Sequence, residues 1–422
     1  MKKALLIGYY FQQTVSIGAV RVRGIAKYLE DFGWEITILS GTTGSDEGFD
    51  VEEVIVDDVV TKWSKALKLD QGIVNRVQLG APVHTNKKSF FDRMIRLGGE
   101  LCAYPDVNRT WIEPAIARGR KLLRERKYDA IISSSGPFSA HIVAASFASE
   151  FNLQWLADLR DLWTQNHNYS YSGIRKFFER RLERRTLAKA NVLTTVSVPW
   201  AENLGGLHCH KTVVAIPNGF DPDLINPGTP LTYKFSIVYT GNIYKGNQDP
   251  APLFHVLRRL IDEEMVDPNR IEVHFFGLDE DWLIEDVKKY QLEEVVKIHG
   301  LVSRQIAIAE QRKSQILLFL AWNDPGERGL YTGKIFEYLA ACRPILSISN
   351  TDSGVVKELL NQTQAGVHCS NETELREYLL KAYSEYKEQG AAQYHGIEEE
   401  VMKYSHREMA RKFADVLEEM MK

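Results

Sequence analysis

Residues 324–344 read DPGERGLYTGKIFEYLAACRP, and the rest of the chain can be read outward from them. Asp324, Pro325 and Gly326 form a turn-prone opening that regular structure does not tolerate. Thr332 and Gly333 stand where a helix should begin, with the Thr332 hydroxyl placed to cap a free backbone N–H. Ile335, Phe336, Leu339 and Ala340 then recur at helical spacing and form one apolar face. Lys334 and Glu337 are near neighbours towards the other side. Arg343-Pro344 stops the helix, and ILSIS (345–349) reads as a buried strand. A glycine-bearing loop entering a helix offers backbone N–H groups and a positive dipole end to a phosphate. Lys334 adds a mobile cation there, and Glu337 can accept from sugar hydroxyls. The same spacing also suits an ordinary loop–helix–strand unit with a surface ion pair.

The surrounding sequence alternates strands and helices in two blocks. ALLIGYY (4–10), a loop over 11–18, a helix over 19–33 and EITILS (35–40) open the chain as a βαβ unit, hence with a parallel sheet. The loop ends at Gly18, a second candidate anion-binding helix start. There is no GxGxxG fingerprint and no acidic residue at the end of the second strand, which disfavours a dinucleotide-dependent dehydrogenase. Residues 60–110 mix Lys, Arg and aromatics without a strand signal and read as helices and loops. The alternation resumes with EPAIARGRKLLRERK as a helix, YDAIISSS as a strand, GPFSAHIVAASFASEF as a helix, and LQWLADLRDLW as a strand running into a loop. The strand-end loops 133–141 and 158–163 are places where ligands of a doubly wound sheet collect. His141, Arg160 and Asp161 lie on them; a packed helix histidine and a loop ion pair are the plainer readings of these residues.

IRKFFERRLERRTLAKA (174–190) carries seven Lys or Arg against two Glu, around an apolar stripe of Ile174, Phe177, Phe178, Leu182 and Ala188. It fits either an anionic lipid surface or a solvated helix that docks its stripe on the sheet. Residues 220–234, rich in Pro and Gly, mark a boundary between domains. Asp221 and Asp223 there read as turn residues, and LHCHK (207–211) supplies few ligands and no partner set at zinc spacing, so no metal is expected. The second block, from FSIVYTG (235–241) to QILLFLAW (315–322), repeats the alternation and leads into the opening stretch. Two helical segments close the chain.

Composition sets limits on this picture. With 422 residues, two or three domains are expected. The net charge of −4 gives no global pull towards nucleic acid. Four scattered cysteines form no disulfide framework and fit a reducing compartment. MKKALLIGYY reads as a first strand rather than a signal peptide, and no window is long and apolar enough for a membrane span. A cytoplasmic protein, touching the inner face of a membrane peripherally, is the expectation.

Five segments, in order, resemble the retaining GT-B glycosyltransferases of glycosyltransferase family 4. They are the loop ending at Gly18 with AKYLEDFGWEITIL (26–39), AIPNGFD (215–221), IVYTGNIYKG (237–246), KIFEYLAACRPIL (334–346) and YSHREMARKF (404–413). IVYTGNIYKG is similar to the family's GRxxxxKG donor loop, with Asn242 in place of the arginine and a shorter loop before Lys245. Glu337 matches the second of two glutamates that the family separates by seven intervening residues. The first position falls on Gly329, with Glu327 nearby as a substitute through a loop shift. Lys334 resembles a variant subgroup with lysine three residues before that glutamate.

The resemblance implies an α/β GT-B fold of two Rossmann-like, doubly wound parallel-sheet domains facing a cleft. The N-terminal acceptor domain would span 1–220, a linker 221–234, the nucleotide-sugar domain 235–402, and a C-terminal helix, 403–422, would pack back on the first domain. The implied donor-binding set is Gly18, Gly241, Asn242, Lys245, Val302, Leu330, Tyr331, Thr332, Gly333, Lys334 and Glu337. Lys245 and Glu327 would be catalytic, and His141, Arg160 and Asp161 would lie on the acceptor side. Transfer from a nucleotide-diphosphate sugar to a glycan or lipid-linked acceptor needs the leaving diphosphate stabilised, which lysines and helix N-termini can do without a metal or other cofactor. A nucleotide-sugar epimerase on the same fold and a catalytically silent nucleotide- or glycan-binding protein are the alternatives. A glycosidase would need two converging acids that the sequence does not present.

Overall fold

The computed structural model describes residues 1–11, 17–42, 48–59, 61–62, 104–167, 169, 171–277, 281–352 and 354–422. The helices and loops expected over 60–110 therefore lie mostly outside the described residues. The chain divides into two compact units, Met1–Ile216 with Ala410–Lys422, and Pro217–Met409.

The first unit holds seven strands: β1 (Lys2–Ile7), β2 (Trp34–Ser40), β3 (Asp50–Glu53), β4 (Ala130–Ser134), β5 (Gln154–Leu159), β6 (Val192–Thr195) and β7 (Thr212–Ala215). They pair in the order β3-β2-β1-β4-β5-β6-β7, every pairing parallel. Parallel strands need crossovers, and helices supply them here: α1 (Ile17–Tyr28), α2 (Ile112–Glu125), α3 (Ser139–Phe151), α4 (Gly173–Leu187) and α5 (Val198–Leu207). Helices covering both faces explain why Ala4, Leu5, Leu6 and Ile7 are all fully buried.

The second unit repeats the plan with β8 (Phe235–Thr240), β9 (Ile271–Phe276), β10 (Val296–Ile298), β11 (Ile316–Leu320), β12 (Ile345–Ile348) and β13 (Gly366–Cys369), in the order β10-β9-β8-β11-β12-β13. Its helices are α6 (Ala251–Asp262), α7 (Asp281–Lys289), α8 (Arg304–Lys313), α9 (Gly333–Ala341), α10 (Val355–Thr363), α11 (Glu372–Gln389) and α12 (Glu398–Met402). The last helix, α13 (His406–Met420), ends the chain. Both units are doubly wound α/β layers of the Rossmann-like kind. In each, the strand order reverses at the first strand, so the open crevices lie at the carboxyl ends of β1 and β8.

Some local expectations change. Helix α1 starts at Ile17, so Gly18 is a buried residue of its first turn rather than the end of a loop. The apolar positions Ala19, Val22, Ile25 and Ala26 pull this helix onto the sheet. A Cβ on Gly8 would come within 2.8 Å of Val22, which shows how closely α1 crosses β1. Elements that the sequence did not signal are β3, α5, α10, α12 and β13. Asp221 uses its carboxylate to accept from the Asp223 N–H (3.1 Å) in a tight turn.

The largest difference is in α4, because Ile174, Phe177 and Phe178 do not dock the helix on the sheet: they are 76%, 68% and 56% exposed. The inward face is instead Arg175, Glu179, Glu183, Thr186 and Leu187. A polar network makes this burial tolerable. Glu183 accepts from the Thr164 N–H and hydroxyl, with His208 Nε2 at 3.5 Å from its other oxygen. Glu179 accepts from Arg175 Nε (2.7 Å) and the Tyr169 hydroxyl (2.8 Å). Arg175 also donates to the Pro105 carbonyl (3.1 Å) and lies over the Tyr171 ring.

Candidate active site

At the crevice of the second unit, β8 ends in Thr240-Gly241 and α9 starts at Gly333. Gly241 has φ +103, and a Cβ there would meet Lys334 Cε at 3.1 Å and Nζ at 3.2 Å. Positive φ and close approach both require glycine. The Lys334 ammonium lies 3.6 Å from the centroid of the Tyr239 ring. It has no hydrogen-bonding or ion-pair partner among the described residues. Burial lowers its pKa from the usual lysine value to about 7, with Glu337 pulling weakly the other way. The expected Lys334–Glu337 pair does not form. Arg304, the first residue of α8, takes Glu337 instead, donating from Nε (3.0 Å) and Nη2 (2.8 Å) to Oε1. Gln311 bridges the two sides of the crevice, 2.9 Å to Thr240 Oγ1 and 3.5 Å to Glu337 Oε2.

Thr332 is the N-cap residue of α9, with extended backbone (φ −82, ψ 147), yet its hydroxyl caps nothing. The Oγ1 is buried without a partner, and no described group accepts from the Gly333 and Lys334 N–H groups. A helix N-terminus, an orphan hydroxyl and an unpaired ammonium thus converge within one turn. This is the chemistry of an oxyanion or phosphate site.

The other donor-side residues are spread around this point. Tyr338 accepts from the Thr240 N–H (3.0 Å), fixing the end of β8 to α9. Asn242 uses its carbonyl to accept from the Tyr239 hydroxyl (2.9 Å). Lys245 is exposed, with its ammonium 5.4 Å from the Trp282 ring. Its loop is tied to β11 through Gln248, which donates to the Leu320 carbonyl (2.7 Å). Glu327 accepts from the Gly329 N–H (3.0 Å). Val302 and Tyr331 each pack against the core that includes α9, and Leu330, next to Tyr331 in sequence, is half-buried. Arg304 and Gln311 lie on α8, outside every quoted motif, whereas Tyr239 and Tyr338 stand inside IVYTGNIYKG and KIFEYLAACRPIL without a role assigned to them there.

In the first unit, His141 is fully buried. Its Nδ1 is 2.8 Å from Ser133 Oγ, which itself accepts from Trp155 Nε1 (2.8 Å), so Ser133 donates to His141. Burial lowers the His141 pKa to about 4, so the ring is neutral at pH 7. Arg160 and Asp161 pair with each other at 2.8 Å. The charge at the end of β5 belongs to Asp158, which receives two hydrogen bonds from Arg21 (2.9 and 2.8 Å) and one each from Ser134 and Thr194. Burial pushes this carboxyl up, but Arg21 and the hydrogen bonds outweigh it and hold the pKa below the usual aspartate value. Arg21 also donates to the Ile216 carbonyl (3.0 Å) and faces the Phe413 ring.

Two parallel, doubly wound units of this topology, with an oxyanion-ready crevice in the second, define the GT-B class. Residues 18–219 match the family model described as a glycosyl transferase 4-like domain. Solved structures with the same fold include sucrose-phosphate synthase from Thermosynechococcus elongatus, at 11% identity and TM-score 0.64, covering 100% of this chain and 99% of that one. HepE from Anabaena in complex with UDP matches at 13% identity and TM-score 0.60, over 99% of this chain and 100% of that one. TarM matches at 11% identity and TM-score 0.59, over 99% of each chain. None of the curated proteins compared with the chain matches it. Among the described residues, no helix is long and apolar enough to cross a membrane.

Proposed function

We propose that the chain is a retaining glycosyltransferase that moves a sugar from a nucleotide-diphosphate sugar to a glycan or lipid-linked acceptor, in the building of a cell-surface polysaccharide or glycoconjugate. The observation that carries this reading is the unpaired Lys334 ammonium beside the open N-terminus of α9 and the orphan Thr332 hydroxyl. The UDP and UDP-glucose in the HepE structures support a donor of this class. In this reading the diphosphate sits against Lys334, the α9 N–H groups and Lys245. The Glu337 carboxylate, oriented by Arg304, accepts from ribose hydroxyls through its freer oxygen.

Chemically, the bond from the anomeric carbon to the diphosphate oxygen breaks, and the acceptor oxygen bonds to that carbon on the same face. The acceptor proton passes to the departing diphosphate. Charge grows on the leaving group as the bond lengthens, so fixed cations and N–H dipoles accelerate the step without a metal or another cofactor. Glu327 is the candidate for contact with the transferred sugar. Arg160 and Asp161 belong to the acceptor side, with His141 behind them. The protein works in the cytoplasm, at the inner face of a membrane.

Thermal-shift measurements against UDP-, GDP-, ADP- and dTDP-sugars test the reading. It expects one nucleotide to raise the melting temperature clearly, and the responding donor then gives product with an acceptor. Absence of any shift would overturn it. Turnover of a donor's sugar without any acceptor would point to an epimerase instead.

A further inference from the structure

The outward face of α4 is unusual for a helix in a doubly wound layer. Both of its carboxylates are buried, so the exposed side carries cations and apolar groups only. Ile174, Phe177 and Phe178 follow one another at helical spacing and form an apolar tip in its first turns. Arg181 and Arg185 continue the same stripe, and Arg184 flanks it. All three are exposed and have no carboxylate partner among the described residues. The helix is therefore divided along its axis, apolar first and basic after.

We infer that this face of α4 is a docking surface for an anionic lipid bilayer, with Ile174, Phe177 and Phe178 entering the acyl boundary and Arg181, Arg184 and Arg185 at the level of the headgroups. The inference deepens the proposed transfer to a lipid-linked acceptor and rests on it for a reason to be at a membrane, while its geometry stands on the helix alone. Charge decides the occupant. A helix that hides its glutamates and shows arginines complements an anionic surface. Three large apolar side chains beside those arginines complement the hydrocarbon just beneath it. Nucleic acid would use the arginines and leave the apolar tip in water.

The test is co-sedimentation of the full chain with vesicles of phosphatidylglycerol and phosphatidylcholine, against vesicles of phosphatidylcholine alone, at low and high salt. Two double variants are compared, Phe177→Ser with Phe178→Ser and Arg181→Glu with Arg185→Glu. Their sites are exposed, so both should fold, which circular dichroism checks. Binding to the anionic vesicles should fall at high salt, and each arginine removed should weaken it about fivefold. The phenylalanine variant should bind about tenfold or more weakly while keeping its salt dependence. Failure of the wild-type chain to bind anionic vesicles overturns the inference. So does binding that neither double variant weakens, or capture by heparin with none by vesicles. UDP and the other nucleotides are run in parallel by thermal shift. A retained nucleotide shift with no vesicle binding rejects the lipid surface alone, and vesicle binding with no nucleotide shift rejects the transferase reading.

Discussion

A buried ammonium with no acceptor in reach holds its proton weakly, and this gives Lys334 a measurable signature. Its pKa of about 7 in the free protein should rise once a diphosphate lies beside it. Binding then takes up a proton above pH 7, so affinity for UDP or the responding nucleotide should fall between about pH 7 and pH 9, by up to tenfold per pH unit. Titration calorimetry in buffers of different ionisation enthalpy reads this directly; affinity that is flat with pH would remove Lys334 from the site. Lys245→Ala and Glu337→Ala should each lower transfer by about 10²-fold or more, as loss of a group facing the reacting charge does elsewhere. Steady-state kinetics with the fold checked by circular dichroism is the measurement. Lys334, Lys245 and Glu337 were legible in the sequence because loop glycines and a helix start surround them. The Arg304 contact to Glu337 was not, since nothing local says which distant arginine a carboxylate will meet.

At the scale of elements, two close approaches hold the site together. Gly277 follows β9, and a Cβ there would lie 2.3 Å from the Gly241 carbonyl oxygen. Gly277→Ala should therefore push the donor loop away and cost about 1–3 kcal/mol, with loss of nucleotide binding. Thermal unfolding and nucleotide titration together check it. In the first unit, Arg21 on α1 and Asp158 on β5 form a buried pair, and Arg21→Met would strand the carboxylate. The expected loss is about 3–5 kcal/mol by urea unfolding at pH 7. Because the folded pKa of Asp158 is depressed, the pair's contribution is full above the ordinary aspartate range and fades as pH falls below it. Helix α4 teaches the opposite lesson about legibility. Its apolar stripe suggested how it docks, but buried Glu179 and Glu183 found partners in Tyr169, Thr164 and Arg175, and the helix turned its phenylalanines outward. Periodicity counts apolar residues and cannot see a polar network supplied by other elements.

For the whole molecule, the alternation of buried strands and amphipathic helices was enough to read two parallel, doubly wound sheets. The strands β1, β8, β11 and β12 are nearly continuous apolar runs, which is how parallel strands covered on both faces look in sequence. Short or polar elements escaped: β3 (DVEE) has no apolar run, and β13 (GVHC) is too short to stand out. The central claim is that the second unit holds a nucleotide-diphosphate sugar at α9. Thermal shift of the wild-type chain and of Lys334→Ala, with the nucleotide panel, tests it most directly. The account predicts a clear rise in melting temperature with one nucleoside diphosphate and its sugar, lost in the variant. A wild-type chain that responds to none of them, or a variant that responds equally well, would contradict it.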